Sequence, residues 1–179
     1  MTADPPAAGV GMFVFAVDEY RYSGRDVHMY DEDEADLDGS GAAYDEVVNA
    51  IQNRSVTEVA IMGYSHGGGS TYNLAWRLHQ NSVAGSGVAD ITKPFTVPLT
   101  GYIDAIDDGG PTITPETRRP LLTQFHSAQY QDNNIPSGEP SNGDDDENRT
   151  YLGVIHTDID DHPIVHRQLR DRLRQKVAR

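Results

Sequence analysis

An apolar run that ends in a glycine-bracketed serine is the feature that most constrains the fold. Residues 59–62 (VAIM) form the run, and residues 63–67 (GYSHG) and two further glycines follow it. A short apolar run before glycines is typical of a buried strand, and the periodicity after them favours a helix. The spacing G-x-S-x-G between a strand and a helix is the nucleophile-elbow pattern. The segment therefore predicts a sharp strand-turn-helix unit that lifts Ser65 above the strand end.

The physics of such a turn requires small neighbours, so we expect a side chain at Gly63 or Gly67 to collide with its surroundings. The turn also aims backbone N–H groups of the helix start, beginning with that of His66, at the place where an oxyanion would form. The alternative is a glycine-rich turn in another α/β protein, such as one that holds a phosphate. The glycine spacing fits neither a P-loop nor a dinucleotide fingerprint, and this weakens that alternative.

A serine nucleophile requires a general base, usually a histidine that a carboxylate orients. Chains with this elbow place the serine first, then the acid, then the histidine. His156 follows a strand-like segment and precedes the last predicted helix, so it is the predicted base. Other histidines stay open with weaker support: His126 inside a strand-like segment, where packing is the simpler role, and His162 and His166. Order and helix position demote two more, His28 and His79.

The predicted acid is Asp104, which directly follows a predicted strand. Because the carboxyl ends of parallel strands share one edge of a sheet, a carboxylate there faces the same crevice as the elbow. The chain contains 20 aspartates, and Asp107, Asp108 and Asp132 remain rivals. We expect the second oxyanion donor in the loop after the first strand, near Asp18 and Glu19.

Two segments suggest metal ligands. Residues 34–39, with Asp45, loosely follow an EF-hand loop, and a solvated acidic loop is the simpler interpretation. Residues 156–162, with His166, offer histidines and carboxylates that suit a metal. A catalytic histidine beside an acidic helix start explains the second segment better, because carboxylates stabilise helix N-termini. We therefore expect neither a metal nor another cofactor.

The remaining pattern alternates strands with helices, which predicts an α/β fold with a mostly parallel sheet and helices on both faces. A residue such as Pro98 inside a strand implies an edge position or a bulge. Strands are predicted at 12–17, 26–30 (the weakest), 56–64, 96–103 and 123–130; helices at 42–53, 70–80 and 163–177; loops at 31–41 and 107–120; and a mobile polar surface loop at 132–149.

Composition narrows the function classes. The chain has 28 acidic and 14 basic residues and a formal net charge of −14, which repels nucleic acids and anionic membranes. Its acidic excess is mostly aspartate, and Lys93 and Lys176 are its two lysines. Salt-adapted proteins show this balance, and a GC-rich genome explains it equally well. The absence of cysteine excludes disulfides and a thiol nucleophile.

Length and hydropathy bear on organisation. A chain of 179 residues suits one domain, so we expect residues 1–179 to form a single unit. No apolar run approaches about 18 residues, which predicts no transmembrane segment. The N-terminus shows no basic segment followed by an apolar core, so a soluble cytoplasmic location is the default expectation.

These features together resemble small bacterial α/β-hydrolases of the lipase or esterase type, which carry a Gly-Tyr-Ser-(Arg/His)-Gly elbow. The resemblance rests on residues 63–69, 102–107, 124–131 and 156–161. It implies a doubly wound sheet and a triad of Ser65, Asp104 and His156. The chain departs from the group before the elbow, where few residues are available and no His-Gly motif follows Val17. A minimal fold or a truncated start is implied.

The sequence thus predicts a serine hydrolase that cleaves carboxylic esters through an acyl-enzyme on Ser65. The expected substrate is a small-molecule or lipid ester, and no nucleic acid partner is expected. The alternative is a non-catalytic binding or interaction domain that retains the hydrolase fold.

Overall fold

The computed structural model of the protein describes residues 10–31, 39–83, 91–106, 117–141 and 146–178. Its elements, in chain order, are α1 (Val10–Ser23), α2 (Ala42–Arg54), β1 (Glu58–Tyr64), α3 (Gly67–Ser82), β2 (Thr96–Ile103), β3 (His126–Tyr130), β4 (Glu147–Thr150), α4 (His156–Ile159) and α5 (Pro163–Lys176). The α/β class predicted from the sequence is confirmed. Among the described residues, no helix is both long and apolar enough to cross a membrane.

The four strands form one parallel sheet in the order β1-β2-β3-β4. Tyr64 pairs with Ile103, and Ile103 pairs with Gln129, so the carboxyl ends of β1, β2 and β3 lie side by side. The strand order follows the chain order, and the reversal that a doubly wound sheet requires does not occur among the described strands. The strand that leads into Ser65 is therefore an edge strand of the described sheet.

Apolar side chains cover both faces of the sheet. On one face, α2 and α3 pack around Ile51 and Leu78, with Val59 and Ile61 of β1 against them. On the other face, Phe15 of α1 joins side chains of β2, α4 and α5 in a second cluster: Ile103, Ile159, Val165 and Leu169. The alternation of side chains along a strand explains why neighbouring residues of β1 and β2 reach opposite clusters.

The predicted strand at residues 12–17 is wrong, because this segment lies within helix α1. Met12, Phe15 and Glu19 are three and four residues apart, which places them on one helix face. Phe15 and Glu19 are both buried, and Met12 packs against the same cluster as Phe15. The weaker predicted strand at residues 26–30 is also wrong, because these residues form no regular element.

Other segments follow the predictions more closely. The helices at 42–53, 70–80 and 163–177 and the strands at 56–64, 96–103 and 123–130 are each present with shifts of a few residues. Pro98 lies in β2, an interior strand, so the predicted edge position is wrong. The register between β1 and β2 shifts near Pro98, which confirms the alternative prediction of a bulge. The prediction of a loop through residue 149 is wrong at its end, because strand β4 pairs with β3 although it contains no apolar residue.

Candidate active site

Ser65 lies in the two-residue turn between β1 and α3. Its φ angle is 55°, in the left-handed region that non-glycine residues rarely adopt. Two hydrogen bonds hold this conformation against the end of β2: the N–H of Ser65 donates to the carbonyl of Ile103 (3.1 Å), and the N–H of Ile106 donates to the carbonyl of Ser65 (3.0 Å). A left-handed residue between a parallel strand and a helix is the geometry that the elbow pattern predicts.

The glycines around Ser65 have different roles. A Cβ atom at Gly63 would lie 1.8 Å from the carbonyl oxygen of Gly67, so Gly63 must be glycine, as expected. A Cβ atom at Gly67 would meet nothing within 4 Å, so the expected collision there is wrong. The second glycine that space requires is Gly68, whose Cβ would lie 2.1 Å from that of Ala105. Helix α3 therefore approaches the end of β2 through Gly68.

Asp104 directly follows β2, and it also has a positive φ angle, 43°. Its carboxylate is fully buried and accepts four hydrogen bonds. Oδ1 accepts from the N–H groups of Gln131 (3.0 Å) and Gly138 (2.7 Å). Oδ2 accepts from Nε2 of Gln131 (2.9 Å) and from His156 (2.7 Å). Three of these four hydrogen bonds come from Gln131 and Gly138, so the Asp104 carboxylate is held in place independently of His156.

His156 begins the short helix α4 and lies between the other two side chains. Its Nδ1 is 2.7 Å from Oδ2 of Asp104, and its Nε2 is 2.9 Å from Oγ of Ser65. Because a carboxylate can only accept, Nδ1 carries the proton and Nε2 is free to accept from the serine hydroxyl. Residues that are 91 and 52 positions apart from His156 thereby form one hydrogen-bonded chain. This is the arrangement of nucleophile, base and orienting acid in serine hydrolases.

Comparison with known proteins adds no relative. No family model matches the chain, and neither the search of curated proteins nor that of solved structures finds a match. The function of this site is therefore inferred from its geometry and from the sequence pattern.

Tyr64 and Asn134 hold His156 in place, and the sequence pattern predicts neither role. Tyr64 donates from its hydroxyl to the carbonyl of His156 (2.8 Å), and the two rings stack with centroids 5.1 Å apart. Burial, together with nearby carboxylates led by Asp160, raises the pKa of Tyr64 and keeps the hydroxyl protonated as a donor. The N–H of His156 donates to Oδ1 of Asn134 (3.0 Å).

The loop after β3 supports the acid and the base together. Gln131 is fully buried, and besides Asp104 its amide binds the carbonyls of Asn134 and Pro136. Asn133 donates to the carbonyls of Tyr151 and Val154 and so joins this loop to the one before His156. The signal in the sequence was the amide-rich stretch directly after β3, since such side chains often bind nearby backbone. Its polarity instead suggested a mobile surface loop.

Among the described residues, Asp104 is the acid that binds His156. Asp107 and Asp108 fall outside the described residues, and Asp132 is exposed. Among the described contacts, no other histidine hydrogen-bonds Ser65 or Asp104. His162 precedes α5 with its ring beside Tyr151, His166 binds the carbonyl of Asp160, His79 lies half-buried on α3, and exposed His28 pairs with Asp26 and Glu46.

His126 is packed in the protein interior, as its place inside a predicted strand indicates. Its ring is fully buried, with Nδ1 2.7 Å from the hydroxyl of Thr100 and Nε2 3.2 Å from that of Ser141. The ring also meets the edge of Tyr102, with centroids 4.4 Å apart. Burial, reinforced by the positive charge of Arg119, lowers the pKa of His126 to about 3. The imidazole is therefore neutral in the folded protein at ordinary pH.

The expected source of the second oxyanion donor is wrong. Asp18 and Glu19 lie inside α1 and not in a loop after a strand. Glu19 is buried and pairs with two arginines, at 3.5 Å from Arg25 after α1 and 3.4 Å from Arg170 on α5. His66, the other predicted donor, directly follows Ser65 at the N-cap of α3. Within the described part of the chain, we assign no second donor.

The metal candidates gain no support. Residues 34–38 of the loosely EF-hand-like segment lie outside the described residues. In the second segment, His156 binds Asp104 and Ser65 instead. Asp26, His28 and Glu46 place ligand atoms within 4.8 Å of one another, but the guanidinium of Arg54 already pairs with both carboxylates. A cation thus occupies the place that a metal would take.

Proposed function

We propose that the protein is a serine hydrolase that cleaves carboxylic esters through an acyl-enzyme. The observation that carries the proposal is the hydrogen-bonded chain from Ser65 through His156 to Asp104, with the serine on a left-handed turn. The resemblance to small bacterial α/β-hydrolases points in the same direction. The strained turn is a further support, because conformations of this kind cluster at active sites.

In the proposed reaction, Oγ of Ser65 attacks the ester carbonyl while Nε2 of His156 takes its proton. The tetrahedral oxyanion accepts from the backbone N–H of His66 at the start of α3. His156 then protonates the departing alcohol, and the acyl group stays on Ser65. Water attacks the acyl-enzyme by the same route, with His156 again as base, and releases the carboxylic acid. Asp104 keeps Nδ1 protonated and stabilises the imidazolium throughout.

A fluorophosphonate probe tests the nucleophile directly, because it forms a stable adduct only with an activated serine. We expect the wild-type protein to be labelled at Ser65 and Ser65→Ala to be inert. Asp104→Asn should slow labelling by about 1000-fold or more, because the amide no longer holds the correct tautomer of His156. The matched control is Asp132→Asn, which changes the exposed rival acid and should label like the wild type.

Absence of labelling in a folded wild-type protein, at low and at high salt, would overturn the proposal. The alternative, a non-catalytic binding or interaction domain, would then explain the fold. Equal labelling of Asp104→Asn and the wild type would remove Asp104 from the triad while leaving Ser65 as nucleophile.

A further inference from the structure

The ring of Tyr64 covers one face of the His156 imidazole. The two ring centroids are 5.1 Å apart and the ring planes differ by 24°, so the rings stack. The edge of the imidazole is already used, because Nδ1 meets Asp104 and Nε2 meets Ser65. Tyr64 therefore contacts a part of the histidine that the hydrogen-bonded chain does not use, which is its flat face.

Two kinds of contact fix Tyr64 in this position. Its side chain packs against the apolar cluster that contains Ile103 and Ile159, as does that of Met62, two residues earlier on the same face of β1. Its hydroxyl donates to the carbonyl of His156 at 2.8 Å. The cluster holds the ring and the hydroxyl joins it to the backbone of His156, so the two rings stay aligned.

The stacked ring matters most when His156 is charged. The face of an aromatic ring is electronegative, and it attracts a cation within about 6 Å of the centroid, more strongly where water is excluded. In the proposed reaction the imidazole becomes a cation when it takes the proton of Ser65, and its side chain is only 9% exposed. Burial raises the pKa of Tyr64 well above its usual range, so a neutral ring and not a phenolate faces the imidazole.

We propose that Tyr64 is a positioning residue that stabilises the imidazolium form of His156 through the face of its ring. This inference rests on the proposed function, because it concerns the base of the same reaction. The attraction is weak while the imidazole is neutral and strong once it is charged. Tyr64 should therefore lower the barriers to acylation and deacylation without tightening the binding of the substrate.

Carboxylates near the two rings favour the same cation. Asp104 lies at the edge of the imidazole, and three further carboxylates are close enough to act on the hydroxyl of Tyr64: Asp158, Asp160 and Asp161. A test of the ring must therefore leave these charges, and the shape of the ring, unchanged.

A pair of variants meets this requirement. Tyr64→Phe and Tyr64→pentafluorophenylalanine both lack the hydroxyl and differ little in size, but fluorination reverses the sign of the charge on the ring face. We measure the rate of fluorophosphonate labelling against pH. Relative to Tyr64→Phe, the fluorinated variant should label about three- to thirtyfold more slowly at its plateau. The midpoint of its pH profile should fall by about 0.5 to 1.5 units, because a less stable imidazolium loses its proton at lower pH.

The matched control is the same pair of substitutions at Tyr151, whose ring lies beside His162 with centroids 5.4 Å apart. These two variants should share one midpoint. NMR titration of the His156 imidazole, in Ser65→Ala versions of the Tyr64 pair, should show the same shift of midpoint without any catalysis.

Equal midpoints for the two Tyr64 variants, in labelling and in NMR, would overturn the inference. Slower labelling of the fluorinated variant with an unchanged midpoint would also overturn it, because altered packing alone explains that result. Failure of the wild-type protein to label would overturn the proposed function separately, since the NMR titration does not depend on Ser65.

Discussion

At the scale of single residues, Ser65 and Asp104 share a backbone conformation that L-amino acids avoid. Both have positive φ angles, and both bind the same histidine. Such conformations cost about 1–3 kcal/mol each and persist where the surroundings fix them. Here the surroundings are specific: backbone bonds from Ser65 to the end of β2 and four donors around Asp104. Among the described residues, Ser55 and Leu122 also have positive φ angles, so the strain is not confined to the site, but it includes the proposed nucleophile and the proposed acid.

The glycines after Ser65 give a prediction in which neighbouring positions respond oppositely. Gly68→Ala should destabilise the protein by about 1–3 kcal/mol, because the new methyl group overlaps Ala105 and nothing in the backbone can yield cheaply. Gly67→Ala should be neutral or stabilising by about 0.5–1 kcal/mol, because the site is open and alanine favours a helix. Urea denaturation at neutral pH measures both, and equal destabilisation by the two variants would contradict this account.

At the scale of elements, Glu147 shows how strand β4 is held despite its polarity. Its carboxylate accepts from Ser127 on β3 (3.0 Å), from Arg149 (2.6 Å) and from Nη2 of Arg172 on α5 (2.9 Å). Burial alone would raise the pKa of Glu147, but these donors outweigh it and lower the pKa to about 2. A network of charged groups, and not apolar packing, therefore joins the last strand to the last helix.

The sign of the pH dependence follows from that depressed pKa. The contribution of Glu147 to stability is complete above its unfolded pKa of 4.5 and is lost as the pH falls toward 2. Glu147→Gln should lower the free energy of unfolding at pH 7 by about 1–3 kcal/mol, because arginines lose their acceptor. The deficit relative to the wild type should shrink between pH 4.5 and 3, as measured by urea denaturation. Glu139→Gln, which changes an exposed carboxylate, is the control, and a deficit of constant size would contradict the prediction.

The elements also show which parts of the fold a sequence can predict. Strands β1 and β2 are predictable because short apolar runs mark them, and helices α3 and α5 because their buried apolar residues recur at helical spacing. Helix α1 was mistaken for a strand because a short apolar run looks the same in both, and only packing against Ile103 and Val165 decides. Strand β4 was missed because its stability comes from partners distant in the chain.

The same distinction applies to the candidate site. The turn at Ser65 is local, so the glycine spacing predicted it. Chain order and strand ends predict Asp104 and His156, and the structure places His156 between Ser65 and Asp104. Gln131 and Asn134 could not be predicted, because their roles depend on where a loop folds back onto Asp104 and His156. Asp18 and Glu19 were misassigned as a consequence of the error in α1.

At the scale of the whole molecule, the dominant electrostatic quantity is the net charge of −14. Several arginines already pair with carboxylates, such as Arg172 with Glu147 and Arg25 with Glu19. These contacts are short and partly buried, so salt screens them weakly. The acidic residues outnumber the basic ones by 28 to 14, and salt screens the mutual repulsion of exposed charges well. Added salt should therefore remove more repulsion than attraction.

We accordingly expect the thermal midpoint to rise by several degrees between about 0.01 M and 0.5 M NaCl, over which the screening length falls from about 30 Å to below 8 Å. Sucrose at equal osmolality separates this effect from general solute exclusion, because it carries no charge. A double variant tests the same repulsion without added salt. Asp132→Lys with Glu139→Lys reverses two exposed charges, so it should raise the thermal midpoint at low salt. The gain in midpoint should be smaller at about 0.5 M NaCl. A midpoint that falls with NaCl would show that the buried arginine pairs, and not the acidic surface, govern the response. Those pairs would then be the first target for substitution.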